Sequence, residues 1–163
     1  MSIPIEPARP EDAAEIAEIY NRAIAERSAT FETRPRSADE IAARIAGSSL
    51  PLLVARDRQA VVGWGALSRY SDREVYAGVS EASVYVTEAA RGRGVGRQLV
   101  EALAEAARAQ GGYKLIGKLF LTNKASMRLV ARCGFREVGV HRRHGRLDGE
   151  WRDVLLVERL LED

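Results

Sequence analysis

Chemistry-bearing residues concentrate in one stretch of the chain, Glu81-Ala82-Ser83-Val84-Tyr85-Val86-Thr87-Glu88-Ala89-Ala90-Arg91-Gly92-Arg93-Gly94-Val95-Gly96-Arg97. A β-rich run passes into a glycine-rich turn and then into an amphipathic segment. The first N–H groups of a helix lack internal partners and point outward, where the dipole is positive. Glycines let a ligand approach the main chain closely. Arg91, Gly92, Arg93, Gly94, Val95, Gly96 and Arg97 therefore read as a phosphate cradle; a solvated turn with surface arginines is the competing reading. A nucleotide-triphosphate loop needs a Gly-Lys-Ser/Thr ending, which is missing. A dinucleotide fingerprint wants a small residue where Arg97 stands and an acid about 20 residues onward, where Leu115 and Ile116 lie.

Glu81 begins the strand that ends at this cradle. An amine is mostly protonated at neutral pH, so a carboxylate placed there suits a general base that takes its proton before attack on a carbonyl. A strand-edge glutamate in solvent is the bland alternative. His141 and His144, with the single cysteine Cys133 elsewhere, make a weak metal set, and no metal is expected. Cys133 sits before Gly134 at a helix end with no paired base, the pattern of a buried small hydrophobe.

The elements that must position these groups follow from periodicity and punctuation. Ile3 to Ala8 can open as a strand. Pro10-Glu11-Asp12 starts a helix whose apolar face carries Ile16, Ile19 and Tyr20. Ser28 to Pro35 reads as a loop, and Ser37 with Glu40 as a capping box before a short helix through Ile41 and Ile45. Pro51 to Ala55 and Ala60 to Leu67 read as strands around a polar turn, Arg56 to Gln59. Arg69 to Ala77 is a polar loop and Val79 to Val86 a strand. Val95 to Gln110 is a helix stopped by Gly111-Gly112, Tyr113 to Leu121 a strand, and Lys124 to Cys133 a helix stopped by Gly134. Phe135 to Val140 and Val154 to Leu160 form a final strand pair joined by a long basic segment. The order is mixed α/β, helices covering a sheet.

The whole chain bounds these expectations. Its 163 residues, 46% hydrophobic and 29% charged, suit a single domain over 1–163. No apolar run spans a membrane, no secretory signal is visible and one cysteine permits no intrachain disulfide, so a cytoplasmic protein is expected. A net charge of +2 is too balanced to imply nucleic acid, despite the arginine clusters at 91–97 and 142–146.

Arg91-x-x-Gly94-x-Gly96, after a Val-Tyr-Val strand end, resembles the pyrophosphate-binding motif of the GCN5-related N-acetyltransferase (GNAT) superfamily. Asn123-Lys124-Ala125-Ser126 and Gly134-Phe135 resemble that family's next element, a short helix beside the pantetheine arm. Thr30-Phe31-Glu32-Thr33, Glu81-x-Ser83-Val84-Tyr85-Val86 and Gly149-x-Trp151-x-Asp153-Val154 are similar to its phosphinothricin and methionine sulfoximine branch. Tyr76-Ala77-Gly78-Val79 and the run Arg142 to Gly149 are similar to the arsinothricin-resistance members. The resemblance implies a central, mostly antiparallel twisted sheet of about six to seven strands flanked by about four helices. It implies acetyl-CoA as co-substrate, a small glutamate-like amine as acceptor, and a homodimer.

Site residues carried over by the resemblance are Glu81 as base, a backbone N–H near Val84 as oxyanion donor, and main-chain groups of the Val84-Tyr85-Val86 strand end along the pantetheine. Asn123 and Ser126 lie on the pantetheine side, with helix capping an equal reading for Asn123. Arg132 reaches the cofactor or stands in solvent. Arg73 is the first choice for a substrate carboxylate, against a plain surface arginine, and Phe31, Glu74, Val75 and Tyr76 could line the pocket. His144 and Trp151 border the site or a subunit contact. The tyrosine that many superfamily members place in the helix after the asparagine falls on Val130 here. The rival functions are acetylation of protein N-termini or polyamines, a silent acetyl-CoA-binding module, and a basic nucleic-acid-binding module.

Overall fold

The computed structural model describes residues 2–161. A seven-stranded sheet in the order β1-β2-β3-β4-β5-β7-β6 divides the molecule. Its strands are β1 (Ile5–Pro7), β2 (Leu52–Asp57), β3 (Ala60–Arg69), β4 (Val79–Val86), β5 (Lys114–Phe120), β6 (Arg136–Leu147) and β7 (Glu150–Leu160). Neighbours run antiparallel except β4 and β5, which are parallel. Helices α1 (Ala13–Glu26) and α2 (Ala38–Gly47) pack on one face around Trp64, Val54 and Ile16. Helix α3 (Val95–Ala109) covers the other, and α4 (Lys124–Arg132) follows β5.

The entry to α1 is fixed by charge. Asp12 ends a 3-10 turn over Pro10–Asp12 and accepts from the Arg9 N–H at 2.9 Å. The same carboxylate meets the Arg56 guanidinium of β2 at 2.9 Å, and Arg56 also reaches Glu6 of β1 at 2.5 Å. Asp12 is buried, so loss of Arg56 would strand a charge in the core. At α2, Ser37 accepts from the Glu40 N–H at 3.1 Å as the capping pattern predicts. The reciprocal half does not form, because the Glu40 carboxylate pairs with both guanidinium nitrogens of Arg34 at 2.9 and 3.0 Å.

Helix α3 sits close to the sheet because glycines make room. Leu99 and Leu103 are fully buried, each gaining about 1.5–3 kcal/mol by the usual transfer scale. A Cβ on Gly63 would lie 3.2 Å from Leu99, and one on Gly65 3.0 Å from Leu103. The helix whose first turn forms the cradle is thereby pressed against β3.

Two sequence expectations change. β1 is shorter than the expected Ile3 to Ala8. The long basic joining segment does not exist: β6 runs through Leu147 and turns directly into β7 at Asp148-Gly149. Both turn residues have positive φ, 52° and 81°, the conformation a two-residue hairpin favours. Register shifts at Glu137/Gly139 and His141/Gly145 break the alternation that would have marked the strand.

Candidate active site

The main chain of the Arg91–Gly94 turn carries Gly92 at φ 78° and Gly94 at φ 80°. These values lie in the left-handed region that side chains disfavour, and a Cβ at either glycine would meet nothing within 4 Å. The space above the turn is open. Gly94 is the N-cap of α3, and no side chain occupies the cap. Together these features leave the first amides of α3 facing a cavity of about 1000 Å³ that can receive a diphosphate.

The cavity wall brings together Val84, Tyr85, Val86, Arg91, Gly92, Gly94, Val95, Gly96, Arg97, Asn123, Ser126 and Arg132, all expected from sequence. Arg93 is the exception. Its guanidinium turns back to Asp57 of the β2–β3 hairpin at 3.0 Å, so its side chain does not line the cavity. Arg91 stands 3.6 Å from Glu26 of α1.

The cavity exists because β4 and β5 part company. Their parallel pairing covers only Val79 with Lys114, Ser80 with Leu115 and Glu81 with Ile116. From Ala82 onward β4 keeps its pairing with β3 and has no strand on its other side. Main-chain groups on that free edge are available to an extended ligand. Asn123 Oδ1 caps α4 by accepting from the Ser126 N–H at 3.1 Å, and its Nδ2 donates to the Ser28 carbonyl at 3.2 Å. Capping is therefore realised, while Asn123 still borders the cavity. Val130 does not line it.

A second cavity of about 600 Å³ adjoins the first, sharing Ala29, Val84, Tyr85, Asn123 and Ser126 with it. Glu81 opens into this second space, half-buried, and the Lys118 ammonium stands 3.5 Å from its carboxylate. Phe31 lines it as expected, and also packs edge-on to Phe120 at 4.8 Å. A Cβ on Gly145 would come within 2.8 Å of the Phe31 ring, so the loop after α1 is seated against β6. His144 borders the cavity with its ring stacked on His141 at 4.3 Å. Tyr85 belongs to both spaces; burial, with Tyr20 beside it, pushes its phenol well above the ordinary tyrosine value.

Arg73, Glu74, Val75 and Tyr76 do not line either cavity of this chain. They form an exposed 3-10 turn before β4, with Arg73 over the Tyr76 ring at 5.6 Å and the Val75 carbonyl accepting from the Tyr113 hydroxyl at 3.3 Å. Nearness to Glu81 in sequence does not become nearness in space, because that turn folds toward Tyr113. Trp151 is likewise outside, covered by the Arg146 guanidinium at 4.3 Å.

Sequence reasoning passed over Tyr20, Ser68 and Lys118, which complete the wall around Glu81. Tyr20 resembles any half-apolar helix residue. Lys118 carried a signal, a cation set between the apolar Ile116 and Phe120 of β5. Cys133 is 3% exposed, and burial raises its thiol, which suits packing and not nucleophilic chemistry. Among the described residues no cluster of three metal-ligating side chains occurs, and no helix is long and apolar enough to cross a membrane.

Comparison with known proteins agrees with this geometry. Residues 15–135 match the model of the acetyltransferase (GNAT) family. A phosphinothricin N-acetyltransferase from Streptomyces coelicolor is 33% identical, over 98% of this chain and 96% of its own. An L-methionine sulfoximine/L-methionine sulfone acetyltransferase from Pseudomonas aeruginosa is 33% identical, over 99% and 96%. The crystal structure of a GNAT superfamily phosphinothricin acetyltransferase from Sinorhizobium meliloti in complex with AcCoA superposes with a TM-score of 0.91 at 30% identity, over 98% of this chain and 89% of that one.

Proposed function

Since the chain belongs to the GNAT family and is an acetyl-CoA-dependent acetyltransferase, we propose that it acetylates the α-amine of a small glutamate-like amino acid. The observation that carries this reading is the Glu81 carboxylate in a cavity that adjoins the proposed diphosphate cradle, where the second carboxylate, Glu32, is engaged by Arg36. The acceptors named for the relatives, phosphinothricin and methionine sulfoximine or sulfone, are the leading compounds, and arsinothricin is of the same glutamate-like type.

Bound acetyl-CoA supplies an acetyl thioester. The open main chain at Gly92–Gly94 and the first amides of α3 hold its diphosphate, aided by Arg91 and Arg97. The free edge of β4 at Val84 and Val86 aligns the arm, and an N–H near Val84 is the donor for charge that develops on the carbonyl oxygen. Glu81 takes the proton from the incoming ammonium, directly or through one water. The neutral amine then forms its C–N bond to the acetyl carbon as the C–S bond breaks, and coenzyme A leaves as the thiolate, which the proton shed by the acylated nitrogen neutralises. Tyr20 and Phe31 line the amine's side of the cavity.

A space of about 600 Å³ has room for a single amino acid. The test is thiol release from acetyl-CoA against phosphinothricin, methionine sulfoximine, methionine sulfone, arsinothricin, glutamate, spermidine and a short peptide. The expected result is turnover of the glutamate-like compounds far above the last two. Preference for the peptide or for spermidine would remove the substrate assignment. The proposal includes detoxification inside the cell and a homodimer, checked by resistance of an expressing strain and by light scattering.

A further inference from the structure

Lys118 stands where β5 has already left β4. Strand pairing ends at Glu81 with Ile116, and Lys118 lies two residues farther along, on the same face of β5 as Ile116. Its ammonium reaches back across the opening to Glu81 at 3.5 Å, with 45% of the Lys118 side chain and 28% of the Glu81 side chain exposed. A solvated pair at that separation adds little to stability, so holding the sheet together does not account for it. Among the described residues Lys118 is the one lysine or arginine that lines this cavity. The other carboxylate there, Glu32, is engaged by Arg36 at 2.7 Å.

We infer that Lys118 is the anchor for the α-carboxylate of the amino-acid acceptor. In the free enzyme Lys118 and Glu81 neutralise each other. An incoming zwitterion exchanges with that pair, its ammonium facing Glu81 and its carboxylate facing Lys118. The sizes match: an amino acid's amine nitrogen and carboxyl carbon are about 2.5 Å apart, and the protein offers opposite charges 3.5 Å apart on one wall. Charge stays paired before and after binding, so no ion is left in the cavity uncompensated. An amine without a carboxylate would set its own cation against Lys118, which rejects it. Arg73, the arginine expected for this task, lies outside the cavity of its own chain and leaves it to Lys118.

The inference rests on the amino-acid reading above, and its test separates the two. Steady-state kinetics would compare L-phosphinothricin and L-methionine sulfone, each against its own α-carboxamide, in the wild type, Lys118→Met and Lys118→Arg. Methionine sulfone has no acidic side chain, so an effect on it reports the α-carboxylate. Loss of a charge-assisted contact predicts a KM for the acids about ten- to a hundredfold higher in Lys118→Met. The KM for acetyl-CoA should hold and the carboxamides should change by less than about threefold. Lys118→Arg keeps most of the acid preference. Equal losses for acid and carboxamide, or none for the acid, would overturn the anchor while leaving the acetyltransferase reading intact. A wild type that turns over none of the amino acids would overturn the substrate reading itself. Lys118→Gln repeats the measurement should the methionine variant not fold.

Discussion

The role proposed for Glu81 comes down to one proton. Glu81→Gln keeps the size and most contacts of the side chain but removes the base. Turnover should fall about 10²- to 10⁴-fold, the usual contribution of a positioned base. Acetyl-CoA affinity should stay near normal when measured by titration, because the cradle proposed for it lies in the neighbouring cavity. A variant that bound the cofactor poorly would show that Glu81 shapes the cradle and is not confined to proton transfer. Gly94 is the complementary case. At φ 80° with no neighbour near its missing Cβ, Gly94→Ala meets no clash, only backbone strain of about 1–2 kcal/mol. A chain of this size should lose roughly 2–8 °C of melting temperature, with weakened coenzyme A binding in the same samples. An unchanged melting curve would mean that the turn relaxes to another conformation.

At the scale of elements, α4 hangs on its cap. Asn123 serves the helix N-terminus and the loop after α1 at once. Asn123→Ala should cost about 1 kcal/mol from the cap alone. It should also loosen the Ser28 end of the loop that carries Phe31, seen as a higher KM for the amine in addition to lower stability. Asn123→Ser, which can still cap, should restore stability better than it restores that KM. Several of these elements were legible from residue order. β4 ends where the Val-Tyr-Val run ends, and α3 starts after Gly94 and stops before the glycine pair. β6 was not legible beyond Val140, because two register shifts and a run of exposed basic side chains hide its alternation. The cradle could be read locally, since its glycines and helix start are consecutive. The Glu81 wall could not, since Tyr20, Ser68, Glu81 and Lys118 come from four separate elements. Lys118 meets Glu81 only because pairing of β4 with β5 stops after three residue pairs, a tertiary fact that no local pattern encodes.

For the molecule as a whole, Cys133 is a built-in reporter. The thiol is buried and its ionisation is pushed up by that burial, so alkylation should require opening of the C-terminal end of α4. Iodoacetamide labelling followed by mass spectrometry should be slow in the native protein and fast in denaturant. Saturating acetyl-CoA should slow it further, by up to about a hundredfold at a hundred times Kd if labelling needs global unfolding. Labelling that ignores acetyl-CoA would place the opening in a local motion uncoupled from the cradle.

The three-rung joint between β4 and β5 also divides the sheet into two leaves, β1–β4 with α1 and α2 and β5–β7 with α4, while α3 packs across both. A ligand lodged in the wedge can touch both leaves, as Val84 of β4 and Ser126 of α4 both line it. Coenzyme A would then act as a rivet across a seam that the sheet itself closes only at one end, and slower amide exchange on both leaves would be its imprint.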